Sequence, residues 1–307
     1  MKSHGDWMLS YKEREKKFSL NPWVKQFRPE SITKSFFVFL PALFAAKLFE
    51  PLILLRNIEG AVLFFLMAAA CYMFNDCIDL ESDRKNPHRC TRPLAADQLS
   101  MSAVKRAGFV LAGCVFLVAG WIDFRIAAIL AFYYGINLLY SSAAKKHPPL
   151  DIILLATGFV LRVECGAVLT GVVCSHWLFL ITFTLALLLA VGKRKDKNQK
   201  GYDELTVRYY ALFLCCAILV VYTIYVFEVD QTRPLNYRAA WITLFPVIIG
   251  LLRYLQLLLH RENSGDPLYL LYHDVGLQIC CLVYGIMIFC IIFLKDIPLK
   301  KFWESLT

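Results

Sequence analysis

Three aspartates, Asp76, Asp79 and Asp83, come directly after an apolar stretch, with Arg84, Arg89 and Arg92 close behind them. If the helix formed by that stretch runs on, the acids fall at i, i+3 and i+7 on a single face. Carboxylates stacked in this way repel one another, and a divalent cation relieves the repulsion. Mg2+ held by a few carboxylates and water completes its shell from a substrate's phosphates. The arginines are donors suited to phosphate oxygens that such a metal leaves exposed. Residues 75–93 therefore read as a phosphate-handling site, with Asp76, Asp79 and Asp83 as catalytic metal ligands.

A second polar cluster occupies residues 192–208, where Lys193 and Arg194 leave another apolar run. Positive-inside anchoring alone places basic residues at such an exit. The sharper alternative is an anion site facing the first loop, with Asp196 and Asp203 ligating or orienting cations. Arg162 lies inside an apolar run, where a charge costs at least about 2.5 kcal/mol and normally faces a partner or a cavity. Glu164, two residues on, points about 200° around the helix, which argues against a simple mutual ion pair. Asp151, after His147-Pro148-Pro149, reads either as a helix-start acid favoured by the dipole or as something more. Asn137 and Tyr140 are expected to face inward, with packing as their default role.

The elements that must carry these groups are membrane helices. Of 307 residues 58% are hydrophobic, and the mean hydropathy is +0.54, too apolar for a soluble domain of ordinary surface. Nine apolar spans are expected, at 36–55, 60–75, 104–121, 126–140, 150–171, 177–191, 209–227, 239–259 and 275–294. The runs are continuous, which points to helices and not to a barrel. Most Lys and Arg fall on one set of loops, so both motif loops and the N-terminus are expected in the cytoplasm and the C-terminus outside. The +9 net charge suits an anionic leaflet and calls for no nucleic acid. Residues 1–34 form a polar segment with no cleavable signal peptide expected. Most of the 11 cysteines sit inside apolar spans as small hydrophobes.

Taken together, these residues resemble a known family. The run NDxxDxxxDRxxPxxxxRP between spans two and three, with a second polar motif after span six, is similar to the UbiA superfamily of intramembrane prenyltransferases. Arg28-Pro29 with Lys34, Lys146-His147-Pro148 with Asp151, Gly158 to Arg162, Gly192-Lys193-Arg194, Arg253-Tyr254, Pro267 and Asp274 resemble its decaprenyl-phosphate phosphoribosyltransferase branch. The resemblance implies an all-α, polytopic fold of about nine transmembrane helices around a central cavity with cytoplasmic polar loops. Residues 35–307 would form this domain in the inner membrane.

It implies a Mg2+-dependent transfer of 5-phosphoribosyl from phosphoribosyl diphosphate to a polyprenyl phosphate, releasing diphosphate. Arg28, Lys34, Asn75, Arg84, Arg89, Arg92, Lys146, Arg162, Lys193 and Arg194 are the substrate-binding residues it points to. Membrane lipid is an expected partner, and a homo-oligomer is compatible with the sequence. Two readings compete: a prenyl diphosphate transferase acting on an aromatic or other lipid acceptor, and a transporter whose Arg162 and Glu164 line a path. Relatives of the former kind carry a second acid motif where this chain has Lys193, Arg194 and Lys195. An anionic acceptor calls for such cations; a neutral ring does not.

Overall fold

The computed structural model of the protein describes residues 21–87, 89–144, 147–195, 201–232, 240–260 and 267–293. Eight long helices follow one another: α1 Pro51–Ile78, α2 Met101–Ile122, α3 Phe124–Ser142 and α4 Leu150–Thr170. They continue with α5 His176–Lys195, α6 Glu204–Thr232, α7 Leu244–His260 and α8 Val275–Phe293. Each contains a stretch long and apolar enough to cross a bilayer, and in hydrocarbon a helix satisfies every backbone polar group within its own segment. Large apolar side chains such as Phe109, Leu117, Phe213 and Leu252 are exposed on the outer faces, as lipid contact requires. The protein is an integral membrane protein, and among the described residues it contains no β-strand.

Local chemistry sets the helix ends. Ser100 accepts a hydrogen bond from the Ala103 amide at the start of α2, and Asp123, alone between α2 and α3, accepts one from the Arg125 amide. Such caps are worth about 1 kcal/mol. Pro51 opens α1, where its missing N–H costs nothing, and Gly171 closes α4 in the left-handed conformation.

The first expected span, 36–55, does not form one helix. Short helical pieces, Pro29–Ser31, Ile32–Ser35, Phe36–Phe39 and Leu40–Phe44, lead to a turn in which Ala46 has φ 60°, and α1 begins only at Pro51. Eight helices of spanning length are thus present among the described residues, against nine expected. Pro41 and Pro51 each remove a backbone donor, and the intervening Lys47 and Glu50 favour water over hydrocarbon. The run 29–44 packs tightly on α4: a Cβ at Gly166 would lie 1.9 Å from the Val38 carbonyl oxygen, so only glycine permits this approach.

Two of the apolar clusters are large. Phe64, Met67, Ile126, Leu130 and Cys165 fill the space among α1, α3 and α4; Leu188, Val191, Ala211, Leu257 and Leu258 fill that among α5, α6 and α7. Because successive helices alternate in direction, the end of α1, the end of α3, the start of α4, the end of α5 and the start of α6 meet at one end of the bundle. The contacts described next join the ends of α3 and α5 to the start of α4 and the entry to α6.

Candidate active site

The helix bearing the acid motif stops inside it. Asp79 caps α1 at φ −91°, ψ 3°, donating its amide to the Asn75 carbonyl at 2.9 Å, and a new helix, Leu80–Lys85, starts there. The three aspartates therefore do not stack on one continuous face as expected. Asp76, in the last turn of α1, and Asp83, in the short helix, are both buried and come together through Arg92. Its Nη1 donates to Asp76 Oδ1 at 3.1 Å and to Asp83 Oδ2 at 2.5 Å. Arg89 Nη1 lies 3.3 Å from Asp83 Oδ1. Gln26 Nε2 donates to Asp76 Oδ2 at 2.8 Å, and Arg28 Nη2 donates to Asp76 Oδ1.

Residues 22–34 are thus built into this site. The helix Pro22–Phe27 ends at Arg28 with φ 52°, which turns the guanidinium toward α1. Met73, Cys77, Leu94 and Val104, with Phe27 against them, form the apolar seat for the loop and this segment. Gln26 escaped sequence reasoning, because an isolated amide two residues before an arginine carries no pattern. Arg84 turns away from the site, to Asp97 at 2.5 Å, in an exposed pair. Lys146 lies outside the described residues.

One turn deeper on the same face of α1, Lys34 Nζ donates to the Tyr72 hydroxyl at 3.2 Å, and the Arg28 guanidinium stands 4.6 Å from the Tyr72 ring centre. Deeper still, Arg162 is buried. It donates to the Gly158 carbonyl at 2.7 Å and the Tyr133 hydroxyl at 2.9 Å, and sits 4.9–5.5 Å from the rings of Tyr133, Phe64 and Phe159. Each such cation–π contact contributes about 0.5–2 kcal/mol. Its Nε is buried without a hydrogen-bond partner.

The second cluster is closed. Arg194, 3% exposed, forms an ion pair through Nε with Asp151 Oδ2 at 2.7 Å, Asp151 being wholly buried. Off the line of a straight hydrogen bond, this is a contact of charges. Arg194 Nη2 also donates to the Tyr140 hydroxyl at 3.2 Å, while the Tyr202 hydroxyl donates to Asp151 Oδ1. Burial and that bond push the Tyr202 hydroxyl well above the ordinary tyrosine range. Asp151 is more than a helix-start acid. Asp203 is exposed and accepts from the Thr206 hydroxyl at 2.5 Å at the entry to α6, and this bond holds its carboxyl below the usual range. It does not enter the cluster. Asp196 lies outside the described residues. Lys193 is half-buried in the last turn of α5.

The donor set at the end of α1 fits a hard divalent cation. Asp76 and Asp83 offer carboxylate oxygens, Asp79 stands between them in sequence, and the Asn75 Oδ1 is buried with no hydrogen-bond partner. Oxygen-only ligands of this kind suit Mg2+. Among the described residues, no three acids, histidines or cysteines are already gathered around one point, so a substrate's phosphates would have to complete the shell.

The fold is that of a polytopic helical membrane protein, with a cluster of acids and arginines suited to phosphates at the end of α1. The model of the UbiA prenyltransferase family matches residues 35–273, and the chain belongs to that family. It is 27% identical over 242 residues to decaprenyl-phosphate phosphoribosyltransferase of Mycolicibacterium smegmatis, covering 73% of this chain and 76% of that protein. To the enzyme of the same description from Corynebacterium glutamicum it is 26% identical over 288 residues, covering 88% and 85%. Its fold matches the structure of a UbiA homolog from Archaeoglobus fulgidus bound to DMAPP and Mg2+, with TM-score 0.66 at 15% identity, covering 89% of this chain and 99% of that one.

Proposed function

We propose that the protein transfers 5-phosphoribosyl from phosphoribosyl diphosphate to a polyprenyl phosphate at the cytoplasmic face of the inner membrane. The observation that carries this reading is the unlikeness of the two polar clusters. The end of α1 brings two buried acids with three arginines, whereas the end of α5 brings Lys193, Arg194 and Lys195. There the acid from α4, Asp151, is already engaged by Arg194 and Tyr202. One acid pair suits one metal-bound diphosphate, and a basic motif in place of a second acid pair suits a further phosphate group and not a second metal. The relatives named as phosphoribosyltransferases support the same choice.

In this reading Asp76, Asp83 and Asn75, with Asp79, would hold Mg2+ at the end of α1. The bound metal supplies charge neutralisation for the departing diphosphate. Arg89 and Arg92, released from their carboxylates as phosphate enters, donate to its oxygens, and Arg28 keeps Asp76 oriented. Lys193 binds the ribose 5-phosphate. The bond from C1 of ribose to the diphosphate oxygen breaks, with its electron pair leaving on diphosphate. An acceptor phosphate oxygen forms the new bond to C1, through a state of oxocarbenium character stabilised by the site's fixed charges. No general base is needed, because a phosphate monoester is largely ionised at pH 7.

Detergent-purified protein given labelled phosphoribosyl diphosphate, Mg2+ and polyprenyl phosphates of several lengths should yield labelled lipid and free diphosphate. Turnover without a sealed vesicle would remove the transport reading. Consumption of a prenyl diphosphate with an aromatic acceptor, and no ribosylated lipid, would replace the proposal with the aromatic prenyltransferase reading.

A further inference from the structure

Positive charge continues below the acid pair, and there it lacks carboxylates. Asp76 and Asp83 accept from Arg28, Arg89 and Arg92. Lys34 bonds to the Tyr72 hydroxyl. Arg162 bonds to a carbonyl and to the Tyr133 hydroxyl, and its Nε has no partner although the residue is only 3% exposed. Among the described residues, no carboxylate forms an ion pair with either cation, and Glu164 projects to another side of α4. A guanidinium inside a membrane bundle, compensated by aromatic faces and two uncharged acceptors but by no carboxylate, is an expensive arrangement unless an anion visits it.

The surroundings define the anion. Tyr72 and Asp76 are one turn apart on α1, a rise of about 6 Å, and Tyr72 stands in the fields of Arg28, Lys34 and Arg162 together. A group held at Tyr72 therefore lies on the membrane side of a diphosphate held at Asp76, where an attacking oxygen belongs. Phe64, Phe159 and Tyr133 wall Arg162. Lys34 belongs to the run 29–44, whose Phe36 is exposed on the outside of the bundle. Apolar walls and a bilayer-facing neighbour suit the head of a lipid better than a soluble sugar phosphate.

We propose that Lys34 and Arg162, with the Tyr72 and Tyr133 hydroxyls, form the seat for the phosphate of the lipid acceptor. The assignment rests on the phosphoribosyl reading above. It separates the two anions by depth: donor phosphates at the loop end, acceptor phosphate within the bundle.

Thermal unfolding in detergent, with a polyprenyl monophosphate, the matching polyprenol or inorganic phosphate and no donor present, tests the seat apart from the reaction. Wild-type protein should be stabilised by the lipid phosphate and by neither of the others at equal concentration. Arg162→Met and Lys34→Met should each abolish that shift, and Arg162→Lys should restore part of it. In turnover, both Met variants should raise KM for the polyprenyl phosphate about tenfold or more and change that for phosphoribosyl diphosphate less than about twofold. Ligand-free Arg162→Met should unfold no earlier than wild type, since the cost of burying a charge that no carboxylate pairs offsets its uncharged contacts; a purely structural arginine would lower that temperature. Stabilisation by inorganic phosphate alone, an unchanged lipid shift in both Met variants, or a KM change confined to phosphoribosyl diphosphate would each overturn the seat. A wild type stabilised by prenyl diphosphate with Mg2+ but not by the monophosphate would overturn both the seat and the functional reading beneath it.

Discussion

Asp76 and Arg194 each sit in the last turn of a membrane helix, buried and paired with an opposite charge, yet the two regions behave as different devices. Around Asp76 three arginines meet two acids, and their side chains remain 19–34% exposed. Charge is in surplus there and water still reaches it, so the pairs can open for a ligand. Around Arg194 one cation meets one acid, exposed by 3% and 0%, and two tyrosines fill the remaining positions. That cluster is neutral and closed. Stoichiometry and burial, not the spelling of a motif, decide whether a cation can receive a substrate, and Arg194 of the basic motif after span six is taken up by contacts within the protein.

The sharpest way to break this contrast is to unbalance the closed pair. Arg194→Met or Asp151→Leu alone should cost about 3–5 kcal/mol of stability, by leaving a buried charge without its partner. The double variant Arg194→Met with Asp151→Leu should regain most of it. Thermal unfolding of the four proteins forms a cycle, and simple additivity of the two losses would show that the residues are not a unit.

At the open cluster the loss should appear in chemistry. Asp76→Asn and Asp83→Asn should insert and fold normally yet turn over about a hundredfold more slowly or worse, on the order of 2.7 kcal/mol in the barrier. Activity of wild type should vanish in EDTA and return with Mg2+. Near-normal rates for both variants would detach the acids from the metal.

A smaller effect tests the lock's hydrogen bonds. Tyr202→Phe should lower stability by about 0.5–1.5 kcal/mol. Because burial and Asp151 raise the folded-state pKa of this hydroxyl, its contribution is fully present below the unfolded tyrosine value near 10 and declines only as pH rises beyond it. The stability difference between wild type and variant should therefore stay constant from pH 6 to 9. A difference that varies within that window would contradict the protonated assignment.

Smallest of all should be Arg84→Ala, although Arg84 directly follows Asp83. Its pair with Asp97 is exposed on both sides, and such pairs contribute about 0–1 kcal/mol. Activity within about twofold of wild type would sharpen the boundary of the site, whereas a large loss of turnover would bring Arg84 back into it.

Much of this protein follows from its sequence alone. Length and continuity of the apolar runs determine that it crosses a membrane, because hydrocarbon admits only segments that satisfy their own backbone. Those runs located eight of the helices to within a few residues at most ends, although α1 begins nine residues before the expected span. The acids at 76, 79 and 83, with arginines after them, mark the phosphate-type cluster because like charges at such density need a partner. Tertiary structure decided the rest. No local periodicity tells that α1 stops at Asp79, that Pro41, Pro51 and the glycine contact at Gly166 break the first span, or that Gln26 reaches Asp76. Nor does it tell that Arg194 closes on Asp151, 43 positions earlier in the chain. A charge advertises itself in sequence, but its partner is chosen by which helices pack together, and only that choice determines whether the charge is neutralised or available.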